Sequence, residues 1–213
     1  MTDAIFFDLW NTLLYCPTKD MLDKIIERVN LVDTSYTDLI FRMRETLFIK
    51  NDMSFGQFIE GVCSERNIMR SKNVVFEAEK IWKSRLDTAG YFPETVEVLK
   101  ALGKNHKLGL ISNTDSSGAE YARKIGLTDY FDAIIMSSEV GLSKPDPLIY
   151  EKALFELGAK AGECLMIGDN PQADVYAAQK AGLDAVLIDR VGIHTGLECR
   201  KIKDLRGIIE VVV

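Results

Sequence analysis

The chain has 213 residues, 47% of them hydrophobic and 27% charged, with 32 Asp and Glu against 26 Lys and Arg for a net charge of −6. That length holds one good core plus a smaller satellite domain. The acidic balance argues against nucleic acid or an anionic membrane as main partner, since both need a basic surface.

No stretch approaches the roughly 20 apolar residues of a membrane span. Asp3 and Asp8 flank an N-terminal run too short and too acidic for a signal peptide. Cys16, Cys63, Cys164 and Cys199 are scattered, with no CxxC pair, and read as free thiols in a reducing cytoplasm.

The first predicted strand covers residues 4–9, with Asp8 at its C-terminal tip and Trp10, Asn11 and Thr12 following. Further strands are expected at 108–111, 133–136, 164–167 and 185–188. All are apolar throughout, as parallel strands covered on both faces are. Between them lie amphipathic helical patterns. Val96, Leu99 and Leu102 form one stripe behind Pro93. Tyr150, Ala153, Leu154 and Leu157 form another, with Asp146 as N-cap and Gly158 as stop. Ala173, Ala177, Ala178 and Ala181 make a small-residue face suited to close packing on a sheet. The alternation predicts an α/β fold with a doubly wound, Rossmann-like parallel sheet.

From about residue 17 to residue 90 no strand is expected. Four helical stripes replace it: Leu22/Ile25/Ile26/Val29, Ile40/Met43/Leu47, Phe55/Phe58/Ile59/Val62 and Val74/Ala78/Ile81/Trp82. Thr18, Ser54 and Ser71 fit as helix caps. The expected organisation is a core of residues 1–15 and 90–213, with residues 16–89 forming an inserted α-helical bundle. Because that insert leaves the sheet beside Asp8, it is placed to act as a cap hinged over the strand tips.

Three more polar clusters follow strands: Ser112-Asn113-Thr114-Asp115, Gly141 through Pro147 around Lys144, and Gly168-Asp169 through Asp174. In open α/β sheets such loops gather at one edge. The group would contain three carboxylates (Asp8, Asp169, Asp174), one lysine and the Ser112 hydroxyl. Crowded carboxylates need a cation or raised pKa values, and a hard dication such as Mg²⁺ suits oxygen ligands. Lys144 offers a point charge for an anion, and Ser112 with nearby backbone N–H groups offers donors. Nucleophile, metal, cation and donors in one place describe phosphoryl transfer to a carboxylate. Asp115 is expected to cap the helix starting near Ser117. Arg42 and Arg44 could reach a substrate anion, but a helix-surface role is the first expectation for both, and His106 and His194 are expected on the protein surface.

With these motifs in this order, the chain resembles the haloacid dehalogenase-like hydrolase superfamily over essentially its whole length. The resemblance implies that Asp8 is the nucleophile, Ser112 the phosphate-binding hydroxyl with Asn113 beside it, and Lys144 the cation of the third motif. Asp169 and Asp174 match the acidic GDxxxxD form of the fourth motif. The metal site implied is Asp8, the Trp10 carbonyl, Asp169 and Asp174 around Mg²⁺. The implied substrate is a small phosphorylated molecule, handled by a monomer or homodimer with no nucleic acid or membrane partner.

One position departs from the pattern. The family's phosphatases carry a second aspartate where this chain has Trp10, and it protonates the leaving group and later activates water. An indole N–H donates a hydrogen bond but is no useful acid near neutral pH, and losing general acid–base help typically costs ~10²–10⁴ in rate. The family's 2-haloacid dehalogenases also lack this aspartate and carry tyrosine there, but they need no metal and do not keep the Asp169-type acid. The residues therefore point first to a Mg²⁺-dependent phosphatase using Asp8. Two alternatives stand beside it: a metal-independent 2-haloacid dehalogenase, and a protein that binds phosphorylated ligands but turns over poorly.

Overall fold

The computed structural model describes residues 2–31 and 33–212. In chain order it contains β1 (Ala4–Phe7), β2 (Leu14–Tyr15), α1 (Thr18–Val29), α2 (Tyr36–Glu45), α3 (Phe55–Glu65), α4 (Lys72–Ser84), β3 (Gly90–Tyr91) and α5 (Thr95–Leu102). Then follow β4 (Lys107–Ser112), α6 (Ser116–Lys124), β5 (Ala133–Met136), α7 (Ser137–Val140), α8 (Pro147–Leu157) and β6 (Cys164–Gly168). A wide π-type turn at Pro171–Tyr176 leads into α9 (Ala177–Lys180), followed by β7 (Asp184–Ile188), β8 (Lys201–Ile202) and α10 (Ile209–Val212).

Among the described residues, six strands form a sheet in the order β5-β4-β1-β6-β7-β8, parallel at every pairing. The strands alternate between two buried layers. Ile5 and Phe7 face a layer closed by Val98, Leu99 and Leu102 of α5 with Ala119 and Ala122 of α6. Ala4 and Phe6 face the opposite layer, closed by Ile149, Tyr150 and Ala153 of α8 with Ala177 and Ala178 of α9. Burial on both faces is why these strands carry continuous apolar sequence.

β1 lies between β4 and β6, so the chain crosses to opposite sides of it. This is a topological switch point, where the loops at the C-terminal ends of adjacent strands part and leave a crevice. Asp8, Ser112 and Gly168 stand at the ends of those three strands.

Between β2 and β3, helices α1–α4 enclose a separate apolar cluster that includes Leu22, Ile25, Leu39, Met43, Phe58, Ile59, Ala78 and Trp82. Ser54 caps α3 in a reciprocal capping box with Gln57, and Ser71 caps α4. Thr18 is the first residue of α1 rather than its cap; Pro17 holds the cap position, with no side-chain hydrogen bond there. Ser35 builds a second capping box, with Asp38, at the start of α2, a signal that the apolar stripe alone did not register. The chain enters and leaves this region through the antiparallel β2–β3 pair, two residues per strand and too short to stand out in the sequence. β1 ends at Phe7, earlier than the apolar run suggested, with the backbone bending at Leu9. Met1 and Val213, the outer limits of the expected core, lie outside the described residues.

A buried charge pair joins the helical region to the sheet. Arg85, 2% exposed, donates to Asp115 Oδ1 at 2.7 Å and stacks its guanidinium over the Trp82 ring at 3.8 Å. Trp82 Nε1–H donates to Asp115 Oδ2 at 2.6 Å, while Asp115 also caps α6 by accepting from the Gly118 amide. Removing one partner of a buried pair leaves an uncompensated charge. Asp115→Ala is therefore expected to lower unfolding stability by about 3–5 kcal/mol in urea titrations. Arg85→Met should cost clearly less, because Asp115 keeps the Trp82, Ser117 and Gly118 donors. The reverse order would show that the stranded charge is not the source of the loss.

Candidate active site

β1 delivers Asp8 to the crevice, where the Asp8 amide continues the ladder by donating to the Ile167 carbonyl at 2.8 Å. The chain then folds into a tight loop. Leu14 N–H donates to the Leu9 carbonyl and Asn11 N–H donates to the Leu14 carbonyl, so the loop closes without using the polar backbone groups of Trp10. Asn11 takes the left-handed conformation, φ 59°, that asparagine tolerates better than most residues. Arg190 clamps the loop from outside, donating to the carbonyls of Asn11 and Thr12 and to Glu94.

Lys144 organises the centre. It is 1% exposed, and its Nζ donates to Asp8 Oδ1 at 2.7 Å and to Asp174 Oδ1 at 2.6 Å. Burial opposes the charge on Lys144, but Asp174 and Asp8 outweigh it and hold the ammonium above the ordinary lysine range. The Asn113 side chain fixes the Lys144 backbone from both sides: its amide donates to the Lys144 carbonyl at 2.7 Å and its oxygen accepts from the Lys144 N–H at 2.8 Å. Asn113 thus positions the lysine with its side chain.

The fourth motif is built the same way. Asn170 caps the wide turn by accepting from the Gln172 and Ala173 amides. The Asn170 N–H in turn donates to Asp174 Oδ2 at 2.9 Å. Both Asp174 oxygens are thereby engaged. Gly168 makes this possible: a Cβ there would meet the Asp174 carboxylate at 2.2 Å. Asp169 receives a long hydrogen bond, 3.4 Å, from Asn11 Nδ2. The fully buried Tyr150 hydroxyl donates to the Ala173 carbonyl beneath the turn.

Carboxylate oxygens of Asp8, Asp169 and Asp174 all lie within 4.8 Å of one another. Three carboxylates with one lysine leave an excess of two negative charges, which a divalent cation with oxygen ligands matches. The strain of the uncompensated set is visible in their protonation. Burial, opposed by Lys144 and reinforced by Asp174, pushes the Asp8 carboxyl up to about 6. Burial together with the Asp8 and Asp174 charges drives Asp169 well above the usual carboxylate range. The residues present therefore fit a Mg²⁺ site.

Ser112 ends β4 in full burial, and its hydroxyl has no hydrogen-bond partner among the described residues. A buried hydroxyl without a partner costs free energy, so an arriving oxyanion would be a welcome acceptor. Trp10 borders the cleft, but its indole N–H points to Thr114 Oγ1 at 3.2 Å and its ring stacks on Tyr121, centroids 6.4 Å apart. Gly118 makes room for this arrangement: a Cβ there would lie 2.2 Å from Thr114 Oγ1 and 3.0 Å from the Trp10 ring.

The cleft, about 120 Å³, is lined on the sheet side by Asp8, Trp10, Asn11, Asn113, Lys144 and Asp169. The helical region contributes Thr18, Tyr36, Ile40, Arg44 and Phe48. The structure thus separates the two arginines expected on a helix surface: Arg42 pairs with Glu65, whereas Arg44 lines the cleft. The sequence also left Arg190 unnoticed and gave Thr114 no role beyond membership of a polar cluster, because each acts through contacts far along the chain.

A family model described as haloacid dehalogenase-like hydrolase matches residues 2–182. The chain is 26% identical over 208 residues to N-acylneuraminate-9-phosphatase from Homo sapiens, covering 89% of this chain and 84% of that protein. It is 46% identical over 65 residues to phosphoserine phosphatase from Thermus thermophilus, 30% of this chain and 26% of that protein. It likewise spans less than half the length of several other curated relatives it matches. A crystal structure of 2-haloacid dehalogenase from Pseudomonas syringae superposes with a TM-score of 0.70 at 22% identity, over 100% of this chain and 98% of that one. The family match over residues 2–182 establishes that the chain belongs to the haloacid dehalogenase-like hydrolases.

Proposed function

We propose that the chain is a Mg²⁺-dependent phosphatase acting on a small phosphorylated molecule, with Asp8 as the group that receives the phosphoryl. The observation that carries this reading is the Asp8–Lys144–Asp174 chain of hydrogen bonds beside Asp169. Asp8, Asp169 and the Trp10 carbonyl would hold Mg²⁺ with support from Asp174, and the bound ion would neutralise negative charge gathering on the phosphoryl oxygens. A dehalogenase attacking carbon has no use for such an acidic cluster.

In this reading an Asp8 carboxylate oxygen attacks phosphorus. The bond to the leaving oxygen breaks, and that oxygen departs with the electron pair. Lys144 has a third N–H beyond the two given to Asp8 and Asp174, free to meet a phosphoryl oxygen. The unpartnered Ser112 hydroxyl is a further donor. Water then attacks the aspartyl-phosphate, the phosphorus–Asp8 bond breaks, and inorganic phosphate leaves with the Asp8 carboxylate restored. Helices α1–α4, as residues 16–89 over a core of 1–15 and 90–213, would act as the cap that excludes water during these steps. Trp10, committed to Thr114, protonates nothing, so leaving groups that depart without a proton, such as aryl or acyl phosphates, are favoured.

Hydrolysis of p-nitrophenyl phosphate is expected with Mg²⁺ and not with EDTA, and Asp8→Asn should reduce it to background. Metal-independent turnover, or an active Asp8→Asn protein, would overturn the assignment. Halide released from 2-chloropropionate in EDTA would instead support attack on carbon. Trp10→Asp should raise the rate on alkyl relative to aryl phosphates, toward the ~10²–10⁴ that general acid–base assistance usually supplies.

The protonation of the cluster sets a pH dependence without Mg²⁺. Asp8 carries a proton in the folded state up to about pH 6, against an ordinary value of 3.8. Between those values the folded state binds more protons than the unfolded chain, so this contribution to stability falls as pH rises and is lost in full above about 6. Asp169, raised in the same direction, adds to the effect. In EDTA, Asp169→Asn should therefore melt above the parent protein, with a gap that widens as pH rises above the ordinary carboxylate value of 3.8. At pH 7, Mg²⁺ should raise the Tm of the parent and not that of the variant. Scanning calorimetry checks both.

A further inference from the structure

The loop that follows Asp8 satisfies only part of its own backbone. The Leu9 and Leu14 carbonyls accept from within the loop, and the Leu13 carbonyl accepts from Thr95 Oγ1 at 2.8 Å. The carbonyls of Asn11 and Thr12 both go to one distant side chain. Arg190 Nε donates to the first at 3.1 Å and Arg190 Nη2 to the second at 2.7 Å. Asn11 and Thr12 have a further property in common. Asn11 Nδ2 donates to Asp169 Oδ2, and Thr12 Oγ1 donates to Asp8 Oδ2, each at 3.4 Å. One guanidinium thus grips the main chain of the two residues whose side chains address the nucleophile and its neighbouring carboxylate. Both side-chain bonds are longer than the usual range of about 2.5–3.2 Å. Bonds that long do not fix the loop; the loop's position decides where they point.

Arg190 is itself held on its remaining sides. Its Nη1 donates to Glu94 Oε1 at 2.8 Å, and the guanidinium lies 3.5 Å above the Phe92 ring. The pair is largely withdrawn from water, the Arg190 side chain being 17% exposed and that of Glu94 7%. Burial alone would raise the Glu94 carboxyl, but Arg190 and backbone donors outweigh it and hold Glu94 below the ordinary range, so the pair stays charged. The chain just before Arg190 is fixed as well. The Asp189 amide donates to the Ile202 carbonyl, and the Asp189 carboxylate accepts from the Ile193 and His194 amides. Serving two carbonyls and a carboxylate at once calls for a planar fork of donors, which the point charge of a lysine does not supply.

Resting on the Mg²⁺ reading of the acidic cluster, we propose that Arg190, oriented by Glu94, is a positioning residue for that cluster. By fixing the Asn11 and Thr12 carbonyls it aims Asn11 at Asp169 and Thr12 at Asp8. It thereby sets the arrangement in which the two carboxylates would share a divalent cation. Arg190 acts only through these residues and belongs to the core, on the side of the Asp8 loop away from Lys144.

Mg²⁺ binding measured by calorimetry without substrate tests this, with melting curves in EDTA to show that each variant is folded. Arg190→Met is expected to weaken Mg²⁺ binding about ten- to a hundredfold, the usual worth of an outer partner of a metal site. Arg190→Lys should fall between that variant and the parent. Glu94→Gln, which keeps an oxygen for Arg190 to donate to, should lose less than Arg190→Met. Arg206→Ala, which breaks the exposed pair with Asp204, should bind as the parent does. Arg190 variants that melt lower yet bind Mg²⁺ as tightly as the parent would make the residue a structural one and overturn the proposal. If Arg190→Met fails to fold, Arg190→Lys decides: a loss of affinity supports the proposal and parental affinity overturns it. A parent protein that binds no Mg²⁺ would sink the metal reading and this proposal with it, whereas a binding parent with unchanged Arg190 variants would sink this proposal alone.

Discussion

Lys144 is the contact on which the site depends. An ammonium that is 1% exposed would be costly alone, and so would the two carboxylates that flank it. Held together at 2.7 and 2.6 Å, they tie three parts of the chain: the tip of β1, the loop before α8 and the wide turn after β6. Each part has local devices that serve this contact. Asn113 grips the Lys144 backbone, Asn170 grips Asp174, and Gly168 clears the space Asp174 occupies. The arrangement still carries excess negative charge, and burial, reinforced by the neighbouring carboxylates, holds Asp8 and Asp169 above the ordinary carboxylate range. Its stability and its fitness for a divalent ion have the same cause.

The helical region is held to this centre at two places of different character. At one, Arg85 and Trp82 converge on Asp115, only three residues past Ser112. At the other, the Ser143 hydroxyl holds the end of α2 beside Lys144. The first is buried and charged, and it resists separation. The second is a single neutral hydrogen bond, worth about 1 kcal/mol.

Much of the sheet was legible because doubly buried strands leave an unmistakable apolar run, and the motif residues mark their ends. Asp146 and Gly158 bounded α8 as their capping chemistry requires. What escaped the sequence was decided by contacts across long separations. Asp115 does cap α6, as expected of it, but nothing local to it reveals that Arg85 and Trp82 arrive thirty residues earlier in the chain. The α2 stripe named by its apolar members, Ile40, Met43 and Leu47, points into the bundle. The neighbouring stripe of Tyr36, Ile40 and Arg44 turns toward the cleft, and which one faces the sheet depends on how the bundle docks. The β2–β3 pair is too short for any periodicity to show.

Trp10 looks from the sequence like a lost acid, and its surroundings give it a positive role. Its indole N–H satisfies Thr114, its ring covers Tyr121, and the bare backbone at Gly118 leaves room for both. These neighbours belong to the loop and helix that follow Ser112, so Trp10 packs the Asp8 loop against the segment that follows β4. A carboxylate at this position would bring a fourth negative charge to a cluster in which burial already holds Asp8 and Asp169 above the ordinary carboxylate range. It would also leave Thr114 and the Tyr121 face without their partner. The tryptophan thus gives up proton transfer and in exchange keeps the charge excess at two, the value one divalent cation balances. Chemistry in such a site would fall to the nucleophile, the cation shell and the leaving group's own readiness to depart.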